Sequence, residues 1–236
     1  MIRKLLAGLI ATGFSAHAFA LGTGDIAFTA FNADEDGFAI VTFVDLVAGT
    51  TIHFSDNEWN GAAFNTGEGQ HTWTATGAVS AGTVVRFSKV DQAVRAASTG
   101  SISSSGDTGL NATAETIYAF LGTDANSPTT FLAGVSTEGA TNLTPAGLSG
   151  GSNAVILTNS TDFAEYTGPR TGLVSLASYG PLVNDAGQWN IVVGQDNSLA
   201  APNLTPFAPV PEPSTYAMLG LGLVGMGLGL RRRAKI

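Results

Sequence analysis

GDIAFTAFNADEDGFAIVTFVDL, residues 24–46, sets the fold class of this chain. Ile26, Phe28 and Ala30 alternate with Ala27 and Thr29, the two-residue period of a strand with distinct faces. Asp34-Glu35-Asp36-Gly37 then supplies the side-chain acceptors and the glycine that a turn needs. The run 38–46 resumes in Phe, Val and Ile. Working outward, the same grammar repeats. Short apolar, β-branched or aromatic runs at 51–55, 83–88, 116–121, 130–135, 154–158, 172–176 and 189–193 are separated by turn residues such as Ala48-Gly49, Ala81-Gly82 and Asp185-Ala-Gly187. No long stretch keeps a helical period, although 91–97 suits a turn of helix. Residues 98–109 are mostly Ser, Gly and Thr and read as a mobile loop. Many short strands with turns between them predict an all-β fold, an immunoglobulin-like β-sandwich.

The charge is distributed unevenly. The chain has 236 residues, with 10 Lys and Arg, 18 Asp and Glu, and no cysteine. Six of the cations sit at the ends; only Arg86, Lys89, Arg95 and Arg170 lie between Leu21 and Pro209, against 17 acids, which leaves that stretch at −13. A body this acidic repels phosphate backbones and is not a nucleic-acid binder. It would attract divalent cations or basic partners. Without cysteine there is no disulfide, thiolate site or thiol nucleophile, so a core must hold the fold.

The ends mirror each other. Arg3 and Lys4 precede an apolar run from Leu5 to Phe14, and Ala18-Phe19-Ala20 fits a small-residue cleavage site. This is the three-part layout of a secretory signal peptide, cut by signal peptidase. At the far end Val210-Pro211-Glu212-Pro213-Ser214-Thr215 precedes an uncharged run from Tyr216 to Leu230, then Arg231-Arg232-Arg233. As a helix that run would be roughly 22 Å long, short against a hydrocarbon core of about 30 Å but able to span a thinned bilayer. The arginines should stay cytoplasmic, which places the body outside the inner membrane. Pro211 and Pro213 disfavour helix and keep the backbone extended for a processing enzyme. The expected organisation is a signal peptide (1–20), a β-sandwich domain (21–200), a linker with the Pro-Glu-Pro motif (201–215), a transmembrane helix (216–230) and a basic cytoplasmic tail (231–236).

Val210-Pro211-Glu212-Pro213, the apolar run and the arginine cluster together closely resemble the PEP-CTERM sorting signal, in order, spacing and charge. The resemblance implies recognition by an exosortase, a membrane-embedded cysteine transpeptidase. It also implies cleavage near Pro211–Pro213, transfer of the body to the cell surface or beyond, and a host that makes exopolysaccharide. Gly24-Asp-Ile-Ala-Phe-Thr-Ala-Phe31, Val47-Ala-Gly-Thr-Thr-Ile-His-Phe-Ser-Asp56 with Trp59, and Ser80-Ala-Gly-Thr-Val-Val-Arg-Phe87 are similar to secreted bacterial proteins with a lamin-tail-like β-sandwich. That likeness implies an interaction module.

Two motif matches fail on context. Gly220, Gly222 and Gly225 satisfy the dinucleotide-binding pattern but lie inside the apolar tail, with no preceding strand. Ser149 sits in G-x-S-x-G, yet Pro145 precedes it and more glycine follows, so it belongs to a loop and not to a strand-to-helix elbow.

Three clusters remain. Asn32, Asp34 and Asp36 before Gly37 resemble the start of a calcium loop, but the twelfth position is Phe43. An irregular Ca²⁺ site completed by Asp56 or Glu58 is the alternative to a plain polar hairpin turn. Glu58, Trp59, Glu68, His71 and Trp73 gather aromatic faces and carboxylates around a Gly/Asn-rich loop. That set suits sugar binding, and Glu58 with Glu68 would be the pair a glycoside hydrolase needs. The plainer reading is that both tryptophans are core residues at the end of the sandwich. His53, between Ile52 and Phe54, should face outward. The spacing of His53 and His71 matches no zinc pattern. The expectation is therefore an exported envelope or matrix protein, linked to exopolysaccharide or biofilm, that binds or supports and is not an enzyme. A carbohydrate-binding module is the alternative, and a secreted hydrolase a weaker one.

Overall fold

The computed structural model describes residues 20–210. The predicted signal peptide, transmembrane helix, arginine cluster and Pro-Glu-Pro motif beyond Val210 lie outside the described residues. Among the described residues no helix is long and apolar enough to cross a membrane.

The hairpin read from 24–46 is present as β1 (Ile26–Asn32) and β2 (Gly37–Thr42), antiparallel, with a bulge between Phe28 and Ala30. In chain order there follow β3 (Thr51–Ser55), β4 (Gly69–Thr74), β5 (Val84–Ser88), β6 (Ala96–Ala97), β7 (Ser101–Gly106), β8 (Thr116–Gly122), β9 (Pro128–Ser136), β10 (Ala154–Ile156), β11 (Thr161–Tyr166) and β12 (Trp189–Val193). Among the described residues the one α-helix is a single turn, α1 (Gly180–Val183). Two six-stranded sheets form, in the orders β12-β11-β1-β2-β5-β6 and β10-β9-β8-β3-β4-β7. Every pairing is antiparallel except β9 with β10. The all-β sandwich is the observed fold.

An aromatic cluster holds the sheets together. Phe38 of β2 lies 4.9 Å from Phe54 of β3 and 4.8 Å from Phe87 of β5, and Phe28 of β1 lies 6.3 Å from Phe54. Trp73 of β4 meets Phe87 edge-on at 6.2 Å. All five rings are almost completely buried. Their tilted and edge-on geometry is the arrangement that aromatic quadrupoles favour over face-to-face stacking.

Both outer faces are covered as well. On the second sheet, Tyr118 and Phe120 of β8 form a separate cluster with Leu143, Leu148 and Ala154, edged by half-buried Trp59, Phe64 and Phe131. On the first sheet, α1 packs against β1. A strap, residues 196–210, is bonded at intervals to the end of β1 and the β1–β2 turn, to β11 and to the loop before β5. Consequently every residue of β1 and β2 is buried, whichever way it points.

Several sequence expectations change. Residues 98–109 contain β7, paired with β4 from Gly69↔Gly106 to Thr74↔Ser101. Residues 91–97 hold turns and the short β6, not a helix. Residues 172–176 form bends; Leu173 and Leu176 pack on the core from irregular backbone. Residues 201–210, expected as linker, are docked on the body.

The aromatic cluster makes a direct prediction. Phe54→Ala should lower unfolding free energy by about 3–5 kcal/mol, the usual cost of emptying a ring-sized core site. Urea unfolding followed by tryptophan fluorescence measures it, and a loss under about 1 kcal/mol would remove Phe54 from its central place.

Candidate functional site

The residues singled out in the sequence are separated by the fold. Strand alternation sends Ile52, Phe54 and then Asp56 inward, facing Trp73, His71 and Gly69 across the β3–β4 ladder. Trp73 is fully buried, and its indole N–H donates to the Thr99 carbonyl at 2.8 Å. Trp59 stands on the opposite face of the second sheet, 5.1 Å from Phe64 and 5.3 Å from Phe131. The two indoles share no surface, and Trp73 has none to offer a ligand. Trp59 keeps a half-buried ring. Beside it Glu58 accepts from the Asn65 side-chain amide.

The calcium-like loop is used for hairpin closure. Asn32 Oδ1 accepts the backbone N–H of Asp34 and Glu35, at 3.1 and 3.0 Å. Asp34 Oδ2 accepts from Asn197 N–H, and Asp36 Oδ1 from Leu110 N–H, both at 2.6 Å. Among the described residues, no three His, Asp or Glu side chains are placed to hold a metal ion.

Among the described residues, both histidines are interior. His53 points outward, as alternation requires, yet is buried because that face is covered: its ring lies 5.7 Å from Phe120 and Nδ1 contacts Thr72 Oγ1 at 3.0 Å. His71 lies between the sheets, 6.0 Å from the Phe38 ring, with Nδ1 2.7 Å from Ser104 Oγ. Its Nε2 has no hydrogen-bond partner. Burial, assisted by Arg95, lowers the His71 pKa to about 4, so the ring is neutral at pH 7.

What the fold does assemble is an acidic end to the sandwich. Asp56 and Glu115 are 3% and 4% exposed. Glu115 is reached by Asn111 N–H at 2.7 Å, whereas Asp56 Oδ1 and Glu68 Oε2 are buried without a partner. Burial first, then neighbouring carboxylates, raises Asp56 to about 7 and Glu115 to about 8. Glu68 is raised for the same reasons, by burial and by Glu58, Glu138 and Asp107. These groups store protons. Glu58 lies near enough for its charge to add to the Glu68 shift, and it accepts the Asn65 side-chain amide. The inward series Ile52, Phe54, Asp56 was the sequence signal for a buried acid at this end.

The C-terminal boundary of the described body is well defined. Phe207 is 3% exposed, and Val210 N–H donates to the Leu173 carbonyl at 2.8 Å.

Residues 209–233 match the family model described as the PEP-CTERM protein-sorting motif. The chain thus carries a PEP-CTERM sorting motif, which supports an exported protein sorted by exosortase. No curated protein and no solved structure matches the chain.

The buried groups predict a pH dependence. Asp56 and Glu115 have raised pKa values, so their contribution is complete below the ordinary carboxylate range and is lost as pH rises through about 7 and 8. His71, lowered to about 4, contributes above its ordinary value and loses that contribution as pH falls towards 4. From pH 8 down to pH 6 the carboxyls dominate, so thermal stability should rise, by on the order of 1 kcal/mol per pH unit. Asp56→Asn with Glu115→Gln should flatten that slope in calorimetry. An unchanged slope would contradict the assignment.

Proposed function

We propose that the body is a surface-displayed β-sandwich that acts by binding or by structural presence, without turnover, in the outer envelope or the extracellular polysaccharide matrix. The observation that carries this reading is the sorting motif at 209–233, which begins where the folded body ends. In this reading signal peptidase removes residues 1–20, and the apolar run 216–230 anchors the precursor in the inner membrane. Exosortase then releases the body for transfer outward. The side chains that a hydrolase would recruit are committed elsewhere: His71 and Trp73 to the interior, Glu58 to Asn65. The net charge of −13 between Leu21 and Pro209 disfavours anionic polymers as direct ligands and favours neutral glycans or basic partners.

One observation favours carbohydrate contact as a second reading. Trp59, Phe64 and Phe131 form a half-exposed aromatic patch on the outer face of the second sheet. Such a patch offers stacking surface to a sugar ring.

Residues 209–236 fused to a periplasmic reporter should be trimmed in a host with exosortase and stay full-length without it. A reporter of full length in both hosts would refute the sorting reading. For the second reading, a purified 21–210 body on a neutral-glycan array should bind, and Trp59→Ala should reduce the signal about tenfold, the loss of one aromatic stacking contact. Absence of binding would remove it.

A further inference from the structure

The strap that precedes the sorting motif is fitted to the body along its whole length. Asn197 N–H meets Asp34, and the Asn32 side-chain amide meets the Asn197 and Ala200 carbonyls. Asn203 N–H donates to Glu165 Oε2 at 3.0 Å, and Arg170 Nη1 donates to the Thr205 carbonyl at 2.8 Å. Phe207 N–H then donates to the Gly82 carbonyl, Ala208 N–H to Arg170 and Val210 N–H to Leu173, each at 2.8 Å. The Tyr179 hydroxyl donates to the Ala208 carbonyl at 3.0 Å.

Phe207 is the fastener. Its ring lies 5.7 Å from Tyr166, 5.3 Å from Tyr179 and 6.3 Å from Phe43, with the Arg170 guanidinium 4.8 Å from its centroid. The body is shaped to receive it. Gly82, at φ +89°, passes so close that a Cβ there would lie 2.1 Å from the Phe207 carbonyl oxygen. Glycine thus serves both the positive φ and the close approach.

Two physical consequences meet at the motif. Each backbone amide has one hydrogen to donate. Those of Ala208 and Val210 are already given to the body, so this stretch cannot also pair with an enzyme that takes its substrate as an extended strand. The tether is short as well. Only residues 211–215 separate Val210 from the apolar run at Tyr216, at most about 18 Å when fully extended. A membrane-embedded enzyme would have to reach Pro211–Pro213 beneath a folded domain on that tether.

We propose that the strap is a lock on the sorting signal: while Phe207 is seated, the bond near Pro211–Pro213 is withheld from exosortase, and release of the strap presents it. This rests on the reading that the tail is cut at that motif. Strap release requires expulsion of one aromatic side chain and a row of edge hydrogen bonds, with both sheets left intact. Local opening of that kind occurs far more often than global unfolding.

The absence of cysteine makes the test clean. Thr171 and Ala208 are parallel bridge partners, at the inter-strand spacing a disulfide accepts. The full precursor with Thr171→Cys and Ala208→Cys would be oxidised with diamide, freed of the oxidant, then mixed with exosortase-containing membrane vesicles and followed for loss of the tail, with wild type treated alike. The oxidised precursor should be processed at least about tenfold more slowly than wild type, and dithiothreitol should restore the rate in the same sample. Phe207→Ala should be processed faster than wild type, with a melting curve showing the body still folded. Equal rates for oxidised and reduced precursor, with wild type processed normally, would overturn the lock alone. Wild type left uncut at Pro211–Pro213 would overturn both the lock and the sorting reading.

Discussion

β1 and β2 are buried on both faces, and the rest of the structure answers to that constraint. A strand in a two-layer sandwich ordinarily shows one face to solvent. Here the inner face carries Phe28 and Phe38 against Phe54 and Phe87. The outer face must therefore be closed by something other than a sheet. The chain closes it with α1 and with the strap from Asn197 to Val210. The C-terminal strap is thereby part of the fold and not an appendage. The body stays folded up to the residue next to the Pro-Glu-Pro motif.

A chain with so few charges concentrates its electrostatics at one end. Asp56 and Glu115 sit where β3, β4 and β8 converge, with Glu68 alongside and no cation among their causes of shift. Burial penalises their charged forms, so protonation is the cheaper state, and their raised pKa values express it. His71, a few residues away in sequence and also interior, is held neutral. Asp56, Glu115 and His71 are thus neutral interior side chains near pH 6.

Much of the fold was legible because its central strands advertise themselves. The 24–46 hairpin, β3, β5, β8 and β12 are dense in Phe, Ile and Val. The strands that were missed, β4, β6, β7 and β11, carry few Val, Ile or Phe: β6 is two alanines and β11, TDFAEY, holds one phenylalanine. β7, SISSSG, lies at a sheet edge and needs only Ile102 to pack. In β4, GQHTWT, the inward set is Gly, His and Trp, which does not read as apolar alternation. Residues 172–176 misled in the other direction, since their leucines pack from irregular backbone. The strap was hidden by its Pro, Asn and Thr content. Phe207 alone marked it, and a single phenylalanine does not announce the box of Phe43, Tyr166, Tyr179 and Arg170 that receives it. The sorting motif was legible because spacing and charge define it, without tertiary contacts. Trp59 and Trp73 looked like one site because they are close in sequence; strand geometry puts them on opposite faces of one sheet.

The central claim is that the strap is docked on the body as far as the sorting motif. Amide hydrogen exchange on the purified 21–210 body tests it most directly. Phe207, Ala208 and Val210 should exchange at least about 100-fold more slowly than in an unstructured peptide, because their amides are bonded to Gly82, Arg170 and Leu173. Exchange at unstructured rates at all three, while Phe38 to Val41 stay protected, would contradict it.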